Sequence, residues 1–356
     1  SNIGISSTFV SPHSVHVYVF SPVSVVVASF VTSPSFHVCL PVALISSPLG
    51  SVERLIIQKQ NGAELEILTG WGAGLNAWRI PTEKSTLNLL YGYQTEESFW
   101  KIQNDTSAGV RLAPWAGRTN NAIWNWKGET FKLDNNVSWA KHALHGLVHQ
   151  KKWVLKSFTS DTEKAILTLA YDWTGNHEGF PFPFHAETIF TFTGHSFSVK
   201  TKTTNTASKE MPYSEGFHPY FSLGEKIDNL TLKIPASEKV LVDSTDIPTG
   251  MRETETRFND SLLGDTFIND CFAIQNLVEK SETFLKSSSA TLSVWQNSNA
   301  KEYRFIQIYT APDRESIAIE PMTHEPDVLN HHRELITLQP GETLELEWGA
   351  SVAIHQ

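Results

Sequence analysis

The feature that most constrains the fold is a series of short stretches, starting after residue 53, in which apolar and polar residues alternate. Turns separate them, and long helical patterns are scarce between them. Eight such stretches are 55–57, 65–68, 166–171, 188–192, 197–201, 230–234, 290–295 and 343–348. Many short strands without intervening helices predict an all-β protein, a large antiparallel sandwich or barrel. No repeat of fixed period is visible, which disfavours a propeller.

The composition is that of a globular protein with a large core. Of the 356 residues 40% are hydrophobic and 19% are charged, and there are 11 Trp and 20 Phe. On composition alone, this argues against disorder of most of the chain. The length allows two average domains, but all-β sandwiches often run longer than average as one unit, so the domain count stays open.

The charge and the cysteines exclude several classes of protein. A formal net charge of -10, without a dense Lys/Arg cluster, opposes binding to nucleic acid or to an anionic membrane surface. The partner expected is a neutral small molecule. Cys39 and Cys271 lie far apart without CxxC spacing, so we expect free thiols and neither a disulfide framework nor a zinc ribbon.

Residues 1–52 contain no Asp, Glu, Lys or Arg. They show neither the basic start of a secretory signal nor the unbroken apolar span, of about twenty residues, of a membrane helix. Three interpretations remain: extra strands packed on the main domain, a poorly ordered or aggregation-prone extension, or a segment foreign to the functional unit. We favour the last two, and divide the chain into an atypical extension, 1–52, and a domain, 53–356.

A candidate catalytic carboxylate lies in the stretch 316–330. An alternating run that includes Ile317 and Ile319 leads to Glu320, and Pro321 is expected to end the ladder there. Partial desolvation at the end of an apolar strand raises the pKa of a Glu and suits it to accept a proton. A solvated Glu in a turn is the alternative.

Three other segments concentrate polar groups among aromatic residues. In the first, 112–121, Arg118 follows Gly117 in an aromatic-rich loop. Its guanidinium can donate several hydrogen bonds in fixed geometry to sugar hydroxyls. A salt bridge that ties two loops together is an equally good interpretation.

The second segment contains His142, His145 and His149. Three imidazoles so close together suggest a metal, because His is a common zinc ligand. The segment lacks acidic or thiolate partners at suitable spacing, so we predict no metal site. Structural roles are the expectation for His142 and His149.

The third segment, 211–221, places His218 directly before Pro219 and among Phe217, Tyr220 and Phe221. The proline restricts His218 to an extended backbone, so its ring is held rigidly. The ordinary pKa of His lies near neutrality, as a general acid or base requires. A core histidine bonded to the backbone would have the same sequence.

Taken in order, these motifs resemble the aldose 1-epimerases, or galactose mutarotases. The resemblance rests on the loop around Arg118, on Leu-His-Gly at His145, on Gly-Phe-His-Pro-Tyr-Phe at His218 and on Ile-Glu-Pro-Met-Thr-His-Glu-Pro-Asp at Glu320. The resemblance covers roughly residues 55–352. Within the family, the sequence is most similar to the divergent bacterial-type branch.

The resemblance implies a large antiparallel β-sandwich of the galactose mutarotase-like supersandwich type. It also implies an isomerase that interconverts the α and β anomers of a monosaccharide such as glucose or galactose. Glu320 would be the base and His218 the acid, with Arg118 and His145 as substrate-binding residues. No cofactor and no metal are expected, and the protein would be a cytoplasmic monomer or homodimer.

The sequence departs from the family pattern at two places. Gly117 stands where Asn is common, so one amide contact to the sugar is missing or comes from Asn120 or Asn121. An Asp that commonly contacts sugar hydroxyls aligns with Asn269, and Asp270 follows one step later. Asp270 is therefore a further candidate for substrate binding.

Two other functions compete with a mutarotase. One is a non-catalytic carbohydrate-binding protein that stacks sugars on Trp115, Trp124, Trp126 and Trp153. The other is a glycoside hydrolase, in which Glu320 would form a carboxylate pair with Glu325 or Asp327.

Overall fold

The computed structural model describes residues 16–21, 24–29, 42–276 and 278–355. In this part of the chain the helices are α1 (Glu96–Thr106) and α2 (Val328–His331), with 3₁₀ turns at Asn120–Ala122 and Ile227–Asn229. The strands, in chain order, are β1 (His16–Ser21), β2 (Ser24–Ser29), β3 (Val42–Ser46), β4 (Leu55–Lys59), β5 (Glu64–Leu68), β6 (Gly74–Pro81), β7 (Thr86–Asn88), β8 (Arg111–Leu112), β9 (Arg118–Thr119), β10 (Ile123–Trp126), β11 (Glu129–Lys132), β12 (Ala143–Leu144), β13 (Val154–Ser160), β14 (Ala165–Trp173), β15 (Phe184–Phe192), β16 (Ser196–Asn205), β17 (Met211–Tyr213), β18 (Gly216–Phe217), β19 (Tyr220–Phe221), β20 (Thr231–Lys233), β21 (Ser237–Val242), β22 (Pro248–Thr254), β23 (Ser261–Leu262), β24 (Asn269–Ile274), β25 (Ser281–Lys286), β26 (Ala290–Gln296), β27 (Phe305–Thr310), β28 (Ile317–Met322), β29 (Ile336–Leu338) and β30 (Thr343–Ile354).

The strands form three large antiparallel sheets, and small two-stranded ladders lie beside them. The first sheet has the order β2-β1-β3-β4-β5-β6-β7, and the second has the order β13-β14-β15-β16-β30-β26-β25-β20-β23. The third has the order β22-β21-β24-β27-β28-β18-β8, with β19 paired to β28. The prediction of an all-β, antiparallel sandwich is confirmed. In the described ranges, neither helix is long and apolar enough to cross a membrane.

Alternating burial explains how the sheets pack together. Along β15 and β16, every second side chain is buried and the others are half-buried. A period of two places the phenylalanines of both strands on one face of the sheet. The aromatic contacts Trp78–Phe197 and Phe217–Trp348, at 5.1 and 5.2 Å between ring centroids, join the second sheet to the first and to the third.

The predicted strands are confirmed, and one predicted strand end is wrong. Each of the eight alternating stretches coincides with a strand, from β4 to β30. Pro321, however, does not end the ladder after Glu320, because β28 continues to Met322. On one of its two sides, β28 pairs with β18 through the single residue pair Gly216–Met322. Pro321 has no N–H to donate, and none is needed on that side of the strand.

In the described part of residues 1–52, the structure has three strands. The strand β3 pairs with β4 along its whole length, and β1 pairs with β3. These strands extend the first sheet. Residues 1–15, 22–23 and 30–41, with Cys39 among them, lie outside the described residues, so the predicted division of the chain at residue 52 stays a prediction.

A buried ion pair joins the sheets at the centre of the molecule. The Arg111 and Glu215 side chains are 0% and 1% exposed, and Arg111 Nη2 donates to Glu215 Oε2 at 2.6 Å. The same carboxylate accepts from the hydroxyls of Thr201, Tyr213 and Tyr303 at 2.7, 2.5 and 2.5 Å. Because each of these groups has a partner, the pair is tolerated in the core.

We expect Arg111→Met to destabilise the fold by about 3–5 kcal/mol, because it leaves the Glu215 carboxylate buried without its cation. Urea unfolding measures the change. Lys202→Met, which breaks the ion pair of Lys202 with Glu345 on the exposed face, is the matched control and should cost less than about 1 kcal/mol. Equal effects of the two substitutions would contradict the role given to Arg111.

Candidate active site

Glu320 reaches a cavity because of its position in β28. Ile317 and Ile319 belong to the main core, and Glu320 and Met322 project from the opposite face and line the cavity. This is the period of two expected in a strand. Glu320 is 2% exposed, so the strand carries a carboxylate into a largely dry site.

His218 lies beside Glu320, in the short connection between β18 and β19. Its Nε2 is 3.4 Å from Glu320 Oε1. The backbone of His218 is held on both sides, because its N–H donates to Val110 and its C=O accepts from Gly109. Its ring stacks on Tyr220, with 4.9 Å between centroids. The imidazole is therefore fixed against the carboxylate.

Arg118 and His145 are brought together by the ladder of β9 and β12. Leu144 pairs with Arg118, and the N–H of His145 donates to Gly117. His145 has a φ of 66°, which turns its ring toward His218, 5.4 Å away between centroids. The guanidinium of Arg118 donates to Asp246 Oδ2 at 2.9 Å.

These four side chains line one cavity of about 840 Å³. Such a volume lies within the range of roughly 300–1,000 Å³ that is common for small-molecule sites. The other residues that line it come from α1 and the loop before it, from β19, β24 and β27, and from the loops before β12, before β22, before β24 and after β27. They include Tyr91, Tyr93, Ile102, Asp105, Trp139, Tyr220, Asp246, Phe267, Asn269, Gln307, Tyr309 and Asp313.

Burial favours the neutral forms of the acid-base groups. It raises the pKa of Glu320 well above its ordinary value, although the charge of Arg118 acts in the opposite direction. Burial also lowers the pKa of His218 to about 4. The pKa of His145 is lowered well below its ordinary value, first by burial and then by the neighbouring His218, His149 and Arg118. Strongly shifted pKa values in a cleft are typical of functional sites.

The fifth predicted residue, Asp270, lies outside the cavity. Asp270 Oδ1 is 2.9 Å from Lys239 Nζ, and its other oxygen is 3.3 Å from Arg257 Nη2. Neighbouring residues of a strand point to opposite faces, so Asn269 lines the cavity and Asp270 does not. Asn269 Oδ1 accepts from Gln307 Nε2 at 3.0 Å.

Gly117 suits the left-handed backbone of its loop. Its φ is 70°, and a Cβ there would lie 3.0 Å from Cγ of Pro326. Asn at this position would be strained and crowded. Asn120 and Asn121 do not replace the amide, since neither lines the cavity and their N–H groups donate to Asp327 and His142. The amides that do line it are Asn269 and Gln307.

The groups proposed for the competing functions are not assembled. Trp115, Trp124 and Trp153 are at most 2% exposed and belong to the core, and Trp126 packs on His332, so they form no stacking platform. Neither Glu325 nor Asp327 lines the cavity. The carboxylate of Glu325 is bound by Arg252 and Arg333, and that of Asp327 accepts from Asn120 and Asn330.

The structure adds site residues that the sequence reasoning missed. Gln307 pairs with Glu320 across β27 and β28, and Tyr309 follows it on the same face. The alternation of Ile306, Gln307 and Ile308 in β27 is visible in the sequence and could have identified both. Asp246 and Trp139 lie in turns and carried no such signal. Among the described residues, no group of three or more His, Cys, Asp or Glu side chains could hold a metal ion.

The chain belongs to the aldose 1-epimerase family, whose model matches residues 53–350. A match of this length over most of the domain agrees with the fold and with the arrangement of His218 and Glu320. The family gives the chain a sugar-related, mutarotase-like function. The predicted family and fold are confirmed.

Individual relatives are distant. The uncharacterized protein YihR of Escherichia coli K12 is 26% identical over 244 residues, which cover 66% of this chain and 75% of YihR. The uncharacterized protein YphB of the same strain is 26% identical over 283 residues, 71% of this chain and 92% of YphB.

Solved structures show the same fold. A galactose mutarotase-like protein from Clostridium acetobutylicum superposes with a TM-score of 0.75 at 18% identity, covering 85% of this chain and 96% of that one. The galactose 1-epimerase from Lactobacillus acidophilus NCFM gives a TM-score of 0.71 at 16% identity, covering 88% and 98%.

We expect Glu320→Gln to stabilise the fold at neutral pH. The pKa of Glu320 is raised in the folded state, so the folded protein holds this proton more tightly than the unfolded chain does. The contribution of Glu320 to stability is therefore lost as pH rises above the ordinary Glu pKa of about 4.3. A glutamine at this position does not ionise, so the variant does not lose stability in this way.

Thermal unfolding between pH 4 and pH 8 tests this. The midpoint of the variant should exceed that of the parent at pH 8 and approach it at pH 4. Glu282→Gln, on the exposed side of β25, is the matched control. If the parent is instead more stable than Glu320→Gln at pH 8, then the fold stabilises Glu320 as an anion and the expectation is wrong.

Proposed function

We propose that this chain is an aldose 1-epimerase that interconverts the α and β anomers of a monosaccharide such as glucose or galactose. The observation that carries the proposal is the contact of His218 Nε2 with Glu320 Oε1, 3.4 Å apart in a cavity large enough for a sugar. Ring opening needs one base and one acid, and these two groups supply both from one place.

In ring opening, the Glu320 carboxylate takes the proton of the anomeric hydroxyl. The C1–O1 bond becomes a carbonyl, and the C1–O5 bond breaks with its electron pair moving to the ring oxygen. The ring oxygen then takes a proton from His218 Nε2. Rotation about C1–C2 presents the other face of the aldehyde, and the same transfers in reverse close the ring.

The pair begins and ends each cycle with the same number of protons. Burial favours the carboxylic acid of Glu320 and the unprotonated ring of His218. The reactive form, a Glu320 carboxylate beside a His218 imidazolium, differs only by the position of one proton across their contact. Arg118 supports it, because its positive charge lowers the pKa of Glu320.

The remaining polar groups position the sugar. Arg118 lies close enough to affect the charge of Glu320, and the His145 ring contacts that of His218, so both are placed to bind oxygens near C1. Asn269 and Gln307 line the same cavity and present amide groups to the other hydroxyls. The reaction transfers neither an electron nor a group to the protein, so this mechanism requires no cofactor.

We expect Glu320→Gln and His218→Asn each to lower kcat/KM for anomer exchange by about 10²–10⁴-fold, the usual contribution of one positioned proton-transfer group. Polarimetry or NMR exchange on freshly dissolved α-glucose and α-galactose measures the rate. The controls are Glu282→Gln and His195→Asn, both at exposed positions.

Three results would decide between functions. Full activity of Glu320→Gln would remove the assigned base. Equilibration of a broad sugar panel no faster than in buffer would remove the mutarotase. Binding of sugars in calorimetry without any rate enhancement would support a carbohydrate-binding protein instead.

The pH profile of kcat/KM should carry the signature of Glu320. The reactive pair carries one proton, and Glu320, whose pKa is raised, is the group that holds it most tightly. Activity should therefore fall as pH rises through the pKa of Glu320, at a pH above the ordinary Glu value of about 4.3, because the pair then loses its proton. Arg118→Met should move this alkaline limb to still higher pH, because the cation that lowers the pKa is gone. Arg257→Met, at a partly exposed arginine outside the cavity, should leave the limb in place. An alkaline limb that Arg118→Met leaves in place would contradict the assignment.

A further inference from the structure

Arg118 is shared between two carboxylates at the cavity. Its Nη2 donates to Asp246 Oδ2 at 2.9 Å, and its charge also acts on the buried carboxyl group of Glu320. In the described part of the chain, Arg118 forms an ion pair with Asp246 and none with Glu320. The ring of Trp139 lies over the guanidinium at 5.7 Å. All four residues line the cavity, so Asp246 binds directly a cation that the candidate base attracts from a greater distance.

Asp246 is held at the tip of the hairpin that β21 and β22 form. Its N–H donates to the C=O of Asp243, whose carboxylate accepts from the N–H of Thr245 at 2.7 Å. His142 ties this tip to the segment that follows β9. Its Nδ1 accepts from the N–H of Asn121, so its Nε2 carries the proton and donates to the C=O of Thr245, 3.2 Å away. The position of Asp246 is therefore fixed by contacts that do not involve the guanidinium.

The charge that reaches Glu320 comes from Arg118. The groups that can carry charge around this carboxylate are His218, Tyr220, Cys271 and Arg118. Burial lowers the pKa of His218 to about 4, and it raises the pKa values of Tyr220 and Cys271 well above their ordinary values. These three groups are therefore neutral at neutral pH when the site is at rest. Among the described residues around Glu320, the guanidinium alone then acts on it with a full charge, and its distance from the carboxylate matters.

A direct ion pair with Arg118 would make Glu320 a stable carboxylate and a poor base, because a close opposite charge lowers the pKa of a carboxyl group. Asp246 opposes such a pair in two ways. Its hydrogen bond holds the guanidinium, and its negative charge offsets part of the positive potential that Arg118 produces at Glu320. An arginine has five N–H donors, so the others remain available for a sugar.

We propose that Asp246 is a positioning residue, which holds Arg118 beside Glu320 without an ion pair between them, so that Arg118 binds the sugar while Glu320 stays basic. This inference rests on the proposed function and deepens it, because it concerns the control of the base in that reaction. Asp246 acts through Arg118 and needs no contact with the sugar.

The first test is the pH profile of kcat/KM for anomer exchange in Asp246→Asn. The amide keeps an oxygen that can accept from Arg118 and removes the negative charge. The alkaline limb should move to lower pH by about one pH unit, opposite to the direction for Arg118→Met.

Asp228→Asn is the matched control. Asp228 accepts from Arg314 Nε at 2.7 Å, its side chain is 42% exposed compared with 49% for Asp246, and neither Asp228 nor Arg314 lines the cavity. This substitution should leave the alkaline limb in place. A shift equal to that of Asp246→Asn would overturn the proposal.

The double variant Asp246→Asn/Arg118→Met separates positioning from a direct effect of the Asp246 charge. With Arg118 removed, Asp246→Asn should leave the limb where Arg118→Met alone puts it. A shift of the same size in both backgrounds would show that Asp246 acts directly on Glu320, and would overturn the proposal. A rise in KM with an unmoved limb would overturn it as well, because Asp246 would then be a contact of the sugar.

A titration of the Glu320 carboxyl carbon by NMR, assigned with Glu320→Gln, tests the inference without turnover. The titration midpoint should fall in Asp246→Asn, rise in Arg118→Met and stay unchanged in Asp228→Asn. This pattern in a protein that exchanges no sugar would overturn the mutarotase and support the positioning role. A midpoint that Asp246→Asn raises or leaves unchanged would overturn the positioning role, even in an active mutarotase.

Discussion

The structure depends on two opposite charges held together in its core. Arg111 on β8 and Glu215 just before β18 are almost wholly removed from water, and hydroxyl groups of Thr201, Tyr213 and Tyr303 complete the coordination of the carboxylate. Buried charges are costly unless each finds partners, so this cluster specifies one arrangement of the strands that supply them. The same short β8–β18 ladder leads directly to the backbone bonds that hold His218.

The candidate site applies the opposite principle. Arg111 and Glu215 have hydrogen-bond partners for their buried charges. Glu320 and His218 are also buried, but burial shifts their pKa values so that the neutral form of each is favoured. Burial without full compensation is unfavourable for the fold and useful for proton transfer, because the neutral pair and the reactive charged pair differ only by one proton across their contact. A stable core beneath the cavity is what allows this arrangement to persist.

Much of the fold followed from the sequence because strand formation has a local signature. The alternation that marks β15 and β16 in the sequence is the alternation of burial in the structure. The motifs around His218 and Glu320 were recognisable for a similar reason, since each is a contiguous segment. Asp270 and Asn269 differ by one position in a strand, and only the register of β24 with β27 shows which of them faces the cavity.

By itself, the sequence determined the fold class, the strand that bears the candidate base Glu320, and the rigid backbone around the candidate acid His218. The tertiary structure decided which tryptophans are core and which are exposed, why residue 117 is glycine, and that Arg118, His145, His218 and Glu320 share one cavity. The reason is physical: alternation and proline act through neighbouring residues, whereas burial, register and cavity shape depend on segments that are far apart in the chain.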